Sequence, residues 1–198
     1  MALDIGKCFN DAFDVYKRNV LIIVLSGLLY LVITQFTLMI LAGPVLAGYC
    51  IMLLNAMRSE AKKIELKDMF SMFNRFGALL GLFVLQILCF ISLGGIFLGT
   101  MWMFIFFIAA DKKQNALTCF ETSWNVVRKN GFWTNFALVV IGSLIMSLPG
   151  ILLQTVLNNN FAVAILVNSF TVPFGLLLIA SAYLQETSQE AAEIAPAE

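Results

Sequence analysis

Residues 19–57 read NVLIIVLSGLLYLVITQFTLMILAGPVLAGYCIMLLNAM, 39 residues without a Lys, Arg, Asp or Glu. A helix needs about 20 apolar residues to cross roughly 30 Å of hydrocarbon, so this stretch is too long for one crossing and long enough for two. Gly43-Pro44 lies near its middle, and that pair suits a tight reversal. The stretch therefore predicts a helical hairpin, with helices at about 20–41 and 44–57.

Two further blocks, 76–110 and 130–185, are equally free of charge. All 12 basic and 12 acidic residues fall into 4–18, 58–75, 111–129 and 186–198. Soluble domains do not sort charge this way, and a mean hydropathy of +0.92 agrees with a bilayer environment. Gly94-Gly95 and Asn158-Asn159-Asn160 interrupt the second and third blocks. They predict helices at about 77–93, 96–110, 132–156 and 161–184. The second block has 35 residues, about 17 per helix and the lower limit for spanning. It fits either a spanning hairpin or a re-entrant one that stops short. The fold class is an all-α membrane protein with six transmembrane helices in three hairpins.

Every Lys and Arg lies on one side of these hairpins, from Lys7 through Arg58 and Lys112 to Lys129. Basic residues in short loops stay on the cytoplasmic side, which puts both termini there. Residues 4–18 mix acids with bases, and the apolar run that follows is too long for a cleavable signal. The net charge of zero gives no reason to expect nucleic acid. Cys8, Cys50, Cys89 and Cys119 form no CxxC pair and are expected as free thiols.

The charged stretches repeat. CFNDAFDVYKRN (8–19) aligns without gaps on CFETSWNVVRKN (119–130), and a weaker copy runs through Leu66, Phe70, Phe73, Asn74 and Arg75. Phe9, Phe13 and Tyr16 fall on one helix face, as do Phe120 and Trp124. With Phe70 and Phe73 they are the expected interfacial anchors, on amphipathic helices lying at headgroup depth. Asn19 and Asn130 mark the expected helix ends, where asparagine tolerates a left-handed cap. The chain then reads as one membrane domain, 1–185, of three parallel units at about 4–57, 64–110 and 115–185, related by a pseudo-threefold axis. Residues 186–198 carry four acids and no base, the composition of a disordered tail.

Several of these residues also form a recognisable order: Gly43, Pro44, Gly48 and Tyr49; Phe70, Phe73, Arg75 and Phe76; then Asp111 followed by Ser123, Val126 and Val127. Over nearly its whole length the chain resembles uncharacterised prokaryotic integral membrane proteins related to the membrane domain of glycerophosphodiester phosphodiesterases. The resemblance implies a six-helix bundle, and the expected location is the inner membrane. It does not carry over the phosphodiesterase, whose acidic metal ligands belong to a separate domain with no counterpart here.

The chemistry the sequence permits is narrow. Histidine is absent, and no Lys, Arg, Asp or Glu falls inside the apolar blocks. A proton relay, a catalytic dyad or a metal site at depth has no residues to build it. No catalytic residue, metal or cofactor is expected, and Asp111 beside Lys112 and Lys113 reads as a solvated ion pair. The candidate polar path consists of Asn168, Ser169, Thr171, Gln86 and Asn135, whose plainer role is hydrogen bonding between helices. Gly48, Gly81, Gly95, Gly99, Gly142 and Gly175 are expected to let helices approach closely. The resulting expectation is a non-enzymatic membrane scaffold or lipid-interacting accessory protein, in contact with the bilayer and a possible membrane-protein partner. The alternative is a passive permease, channel or lipid-handling transporter with its path near the repeat axis.

Overall fold

The computed structural model describes residues 3–58, 64–91, 95–156 and 161–194. Among these residues the chain is entirely helical, with no strand. The elements are α1 (Ile5–Arg18), α2 (Val20–Phe36), α3 (Ala42–Arg58), two 3-10 turns at Leu66–Phe70 and Phe73–Arg75, α4 (Phe76–Ile91), α5 (Gly95–Met101), α6 (Ile105–Asp111), α7 (Ala116–Asn130), α8 (Phe132–Val156) and α9 (Phe161–Ile194).

Three helical segments are long and apolar enough to cross a bilayer: Leu66–Leu88, Phe132–Val156 and Ala162–Ser188. A fourth is counted if α1 and α2, bent by 95° at Asn19, form one broken span. Of the remaining apolar helices, α2 ends five residues earlier than expected and α3 is three residues longer. α2 and α3 have 17 residues each, which at about 1.5 Å per residue falls a little short of the hydrocarbon thickness. The second helix of the middle block is broken at Trp102–Phe104 into α5 and α6. Six full crossings are thus not what helix length and composition alone deliver.

Helix ends differ from expectation for identifiable reasons. The first reversal falls at 37–41, where Leu38 and Met39 take φ of 48° and 65°. Gly43 and Pro44 lie inside the first turn of α3, where proline's missing N–H has no helical partner to lose. Asn19 closes α1 with φ −125°, not in the left-handed region, and its side-chain amide donates to the Val15 carbonyl at 3.2 Å. At the end of α7 the left-handed position belongs to Gly131, φ 111°, just beyond Asn130. The Asn158–Asn160 turn and Gly94 lie outside the described residues.

The expected disordered tail is contradicted at its start. α9 continues as helix through the acidic segment to Ile194, and Glu186 is fully buried. Ser181, Gln185 and Ser188 are spaced i, i+4, i+7, so a polar face carries the helix past the end of its apolar block.

α3 sits at the centre, with 12 of its 17 residues buried. It packs against α6 and α9, and the three form the inner set. Most outer elements follow one pattern, α1 and α2 packing on α9, Leu66–Phe70 and α4 on α3 and α7 on α6, whereas α8 touches α5, outside the inner set. α8 also pairs along α9. Between the inner helices, the Tyr183 ring lies 5.8 Å from Phe104 and 5.9 Å from Phe107, all three fully buried or nearly so. This part of the centre is filled, not hollow.

Close approach between elements depends on glycines, Gly48 and Gly27 among them. A Cβ on Gly48 would overlap the Met69 backbone carbonyl, so only glycine lets the 3-10 turn seat on α3. A Cβ on Gly27, a position the sequence did not single out, would stand 2.8 Å from the Ser169 carbonyl oxygen and 2.6 Å from the Pro173 ring. Pro173 has no N–H to offer Ser169, and the carbonyl it leaves without its usual donor lies against Gly27. Gly175 closes on the Met146 side chain, whereas Gly81 meets nothing within 4 Å and brings no helices together.

Candidate functional site

Polar side chains of the described residues gather at the charged end of the bundle. Arg58 closes α3 and Asp111 closes α6. The guanidinium donates to both carboxylate oxygens, at 2.6 and 2.7 Å. Tyr183 of α9 donates its hydroxyl to Asp111 Oδ2 at 3.0 Å. One carboxylate thus ties together all three inner helices. The Arg58 guanidinium holds the Asp111 carboxyl below its ordinary value of 3.8, with Tyr183 adding to the effect. Asp111, expected to pair with its neighbours at a solvated helix end, is instead a tertiary linchpin half hidden from solvent.

A second cluster joins α8 to α9. Asn135 Nδ2 donates to Glu186 Oε1 at 2.6 Å and to the Gly131 carbonyl at 3.2 Å. Both residues are fully buried, and two of their atoms, Asn135 Oδ1 and Glu186 Oε2, have no hydrogen-bond partner. Buried polar atoms are nearly always paired, which marks this contact as unusual. The sequence does not reveal it, because Glu186 opens a segment with the composition of a disordered tail.

The five residues of the expected polar path do not converge. Asn135 is engaged at the charged end. Ser169 Oγ donates to its own helix at Leu166 O (2.6 Å), and Thr171 Oγ1 bridges to Met146 O of α8 (3.0 Å). Asn168 lies against Gly150 and lines a cavity of about 300 Å³ with Ser147 and Gln154. Gln86 is half-buried on α4, which packs chiefly on α3, α5 and α7. Apart from the small Asn168 cavity, these polar groups serve helix packing.

The aromatic anchors divide. Phe13 and Phe70 are exposed, at 57% and 43%. Phe9 and Tyr16 pack on the Phe174 ring of α9, at 6.2 and 5.7 Å, and Phe120 packs on Trp102 at 4.9 Å. Trp124 and Phe73 are also partly buried against the core. For these five the physical reason is the same: the amphipathic faces have protein partners and spend their apolar surface there.

A cleft of about 850 Å³ opens between α1 and the end of α9. Lys7, Asp11, Asp14, Lys17 and Arg18 line one wall, with Ser181 and Gln185 on the other. Ser181 donates to Asp11 Oδ2 at 3.0 Å, and Gln185 Nε2 donates to Cys8 Sγ at 3.2 Å. Burial pushes the Cys8 thiol up to about 11, which favours its protonated form near neutral pH. Cys8, Cys50 and Cys119 are free, and no cluster of three or more potential metal ligands occurs among the described residues.

The chain matches no family model, and comparison with curated proteins and with solved structures finds no match.

Proposed function

We propose that the protein is a non-enzymatic, polytopic membrane scaffold or lipid-interacting accessory protein. In this reading it sits in the inner membrane with the basic side and both termini in the cytoplasm. Six apolar passes, some of them short or broken, form a ring of three units about α3, α6 and α9. The packing of α1 and α2 on α9, of Leu66–Phe70 and α4 on α3 and of α7 on α6 supports the ring, as does the gapless match of 8–19 with 119–130. The relationship to the membrane domain of glycerophosphodiester phosphodiesterases is part of the same proposal and rests on the motifs given above.

The observation that carries the functional reading is how the strongest polar groups are spent. Arg58, Asp111 and Tyr183 lock the inner helices to one another, and Phe104 and Phe107 fill the space beside them. A transport path near the repeat axis would have to pass through that packing.

Reconstitution tests it. Purified protein in proteoliposomes is expected to give no solute or lipid flux. It is also expected to be recovered from membranes with bound lipid or with one stoichiometric partner. Flux that disappears in an Asn168→Leu, Thr171→Val variant would overturn the scaffold reading in favour of a passive permease.

A further inference from the structure

Two charged side chains of the cleft between α1 and α9 are left unused by the described residues. Asp11 is tied to Ser181. Asp14 and Lys17 form no hydrogen bond or ion pair with any described residue, although they are three positions apart and both face the cleft. Residues so spaced on a helix have Cβ atoms about 5–6 Å apart. That spacing suits a ligand with an ammonium and a phosphate joined by a two-carbon bridge. A bare phosphate would meet repulsion from Asp14, and a bare amine would meet it from Lys17.

The surroundings point to a lipid as the source of that headgroup. Lys17 stands at the elbow where the chain bends by 95° from α1 into the apolar α2. Phe13, Val20 and Leu21 at the same elbow are 57%, 44% and 78% exposed. Apolar surface directly beside a cation is what an acyl chain below a phosphate would cover. The volume of the cleft, about 850 Å³, is in the range of small-molecule sites.

We infer that this cleft binds the headgroup of an aminophospholipid, its ammonium facing Asp14 and its phosphate facing Lys17. The inference rests on the lipid-interacting reading above and narrows it to one site and one headgroup class.

Native mass spectrometry of the full chain in detergent tests it, with phosphatidylethanolamine, phosphatidylcholine, phosphatidylglycerol and free phosphoethanolamine as probes. The ethanolamine lipid is expected to outcompete the choline lipid about fivefold, because only its primary ammonium has N–H groups to donate to Asp14, the size of about one net hydrogen bond. Asp14→Asn is expected to abolish that preference and leave glycerol-lipid binding intact. Lys17→Gln is expected to weaken both. Both side chains are exposed, so folding should survive, and an unchanged unfolding midpoint confirms it. A preference that persists in both variants overturns the site while leaving the lipid-interacting reading in place. Free phosphoethanolamine binding as tightly as the lipid overturns the lipid assignment. Flux in proteoliposomes is the separate result that overturns the broader reading.

Discussion

The Tyr16 hydroxyl donates to the backbone carbonyl of Phe170 at 3.2 Å, joining α1 to the middle of α9. Pro173, three residues further on, has no N–H, so this part of α9 is short of internal donors. Tyr16→Phe keeps the ring contact with Phe174 and removes only the hydroxyl. A loss of about 1 kcal/mol is expected, as for one net hydrogen bond. Thermal unfolding in detergent measures it, and an unshifted midpoint would show that the bond contributes nothing.

Gly48 and Gly81 make a matched pair of tests. Gly48→Ala forces a methyl into the Met69 carbonyl, and overpacking of that kind costs about 1–3 kcal/mol. Gly81→Ala adds a methyl where nothing lies within 4 Å, and within a helix that change is favourable by up to about 1 kcal/mol. The two unfolding midpoints should move in opposite directions.

Asp111 sets a pH dependence on the acid side. Its folded value lies below 3.8, so it contributes stability at all pH values above that ordinary value. The contribution is lost as pH falls through the folded value. Asp111→Asn should unfold more easily than wild type at neutral pH, by about 1 kcal/mol because Arg58 is partly exposed and screened. The difference should shrink toward zero in strong acid. A gap that stays constant from neutral pH into strong acid would refute the assignment.

Glu186→Gln should be at least as stable as wild type. The new amide can still accept from Asn135 Nδ2, and it can donate to Asn135 Oδ1, pairing an atom that is now buried without a partner. Glu186→Ala leaves Asn135 more poorly satisfied and should cost about 1–3 kcal/mol. Circular dichroism melts of the three proteins decide it. A Gln variant as unstable as the Ala variant would mean that the contact needs the carboxylate itself.

Much of the helix layout was legible in the sequence, since charge exclusion from apolar blocks is a local property. α8 occupies 132–156, as its block indicates. The amphipathic segments at 8–19 and 119–130 fall largely within α1 and α7. What could not be read is which surfaces meet. Phe9 and Tyr16 resemble lipid anchors by spacing, but α9 lies against them. Glu186 resembles a solvated tail residue because composition does not show that Asn135 waits for it 51 positions away. Gly43-Pro44 resembles a turn because proline suits both a reversal and a helix's first turn. The α1–α9 cleft was invisible for the same reason as Glu186: its walls meet through residues as far apart as Asp11 and Ser181, 170 positions along the chain.

The contact of α1 with α9 joins the first described helix to the last. During synthesis α1 emerges with Phe9, Tyr16 and Cys8 ready to be covered, but the helix that covers them is made only after α8. Until then those side chains must rest on the membrane or on another protein. The assembly can therefore reach its final form only after translation has passed α9, however early its other helices insert.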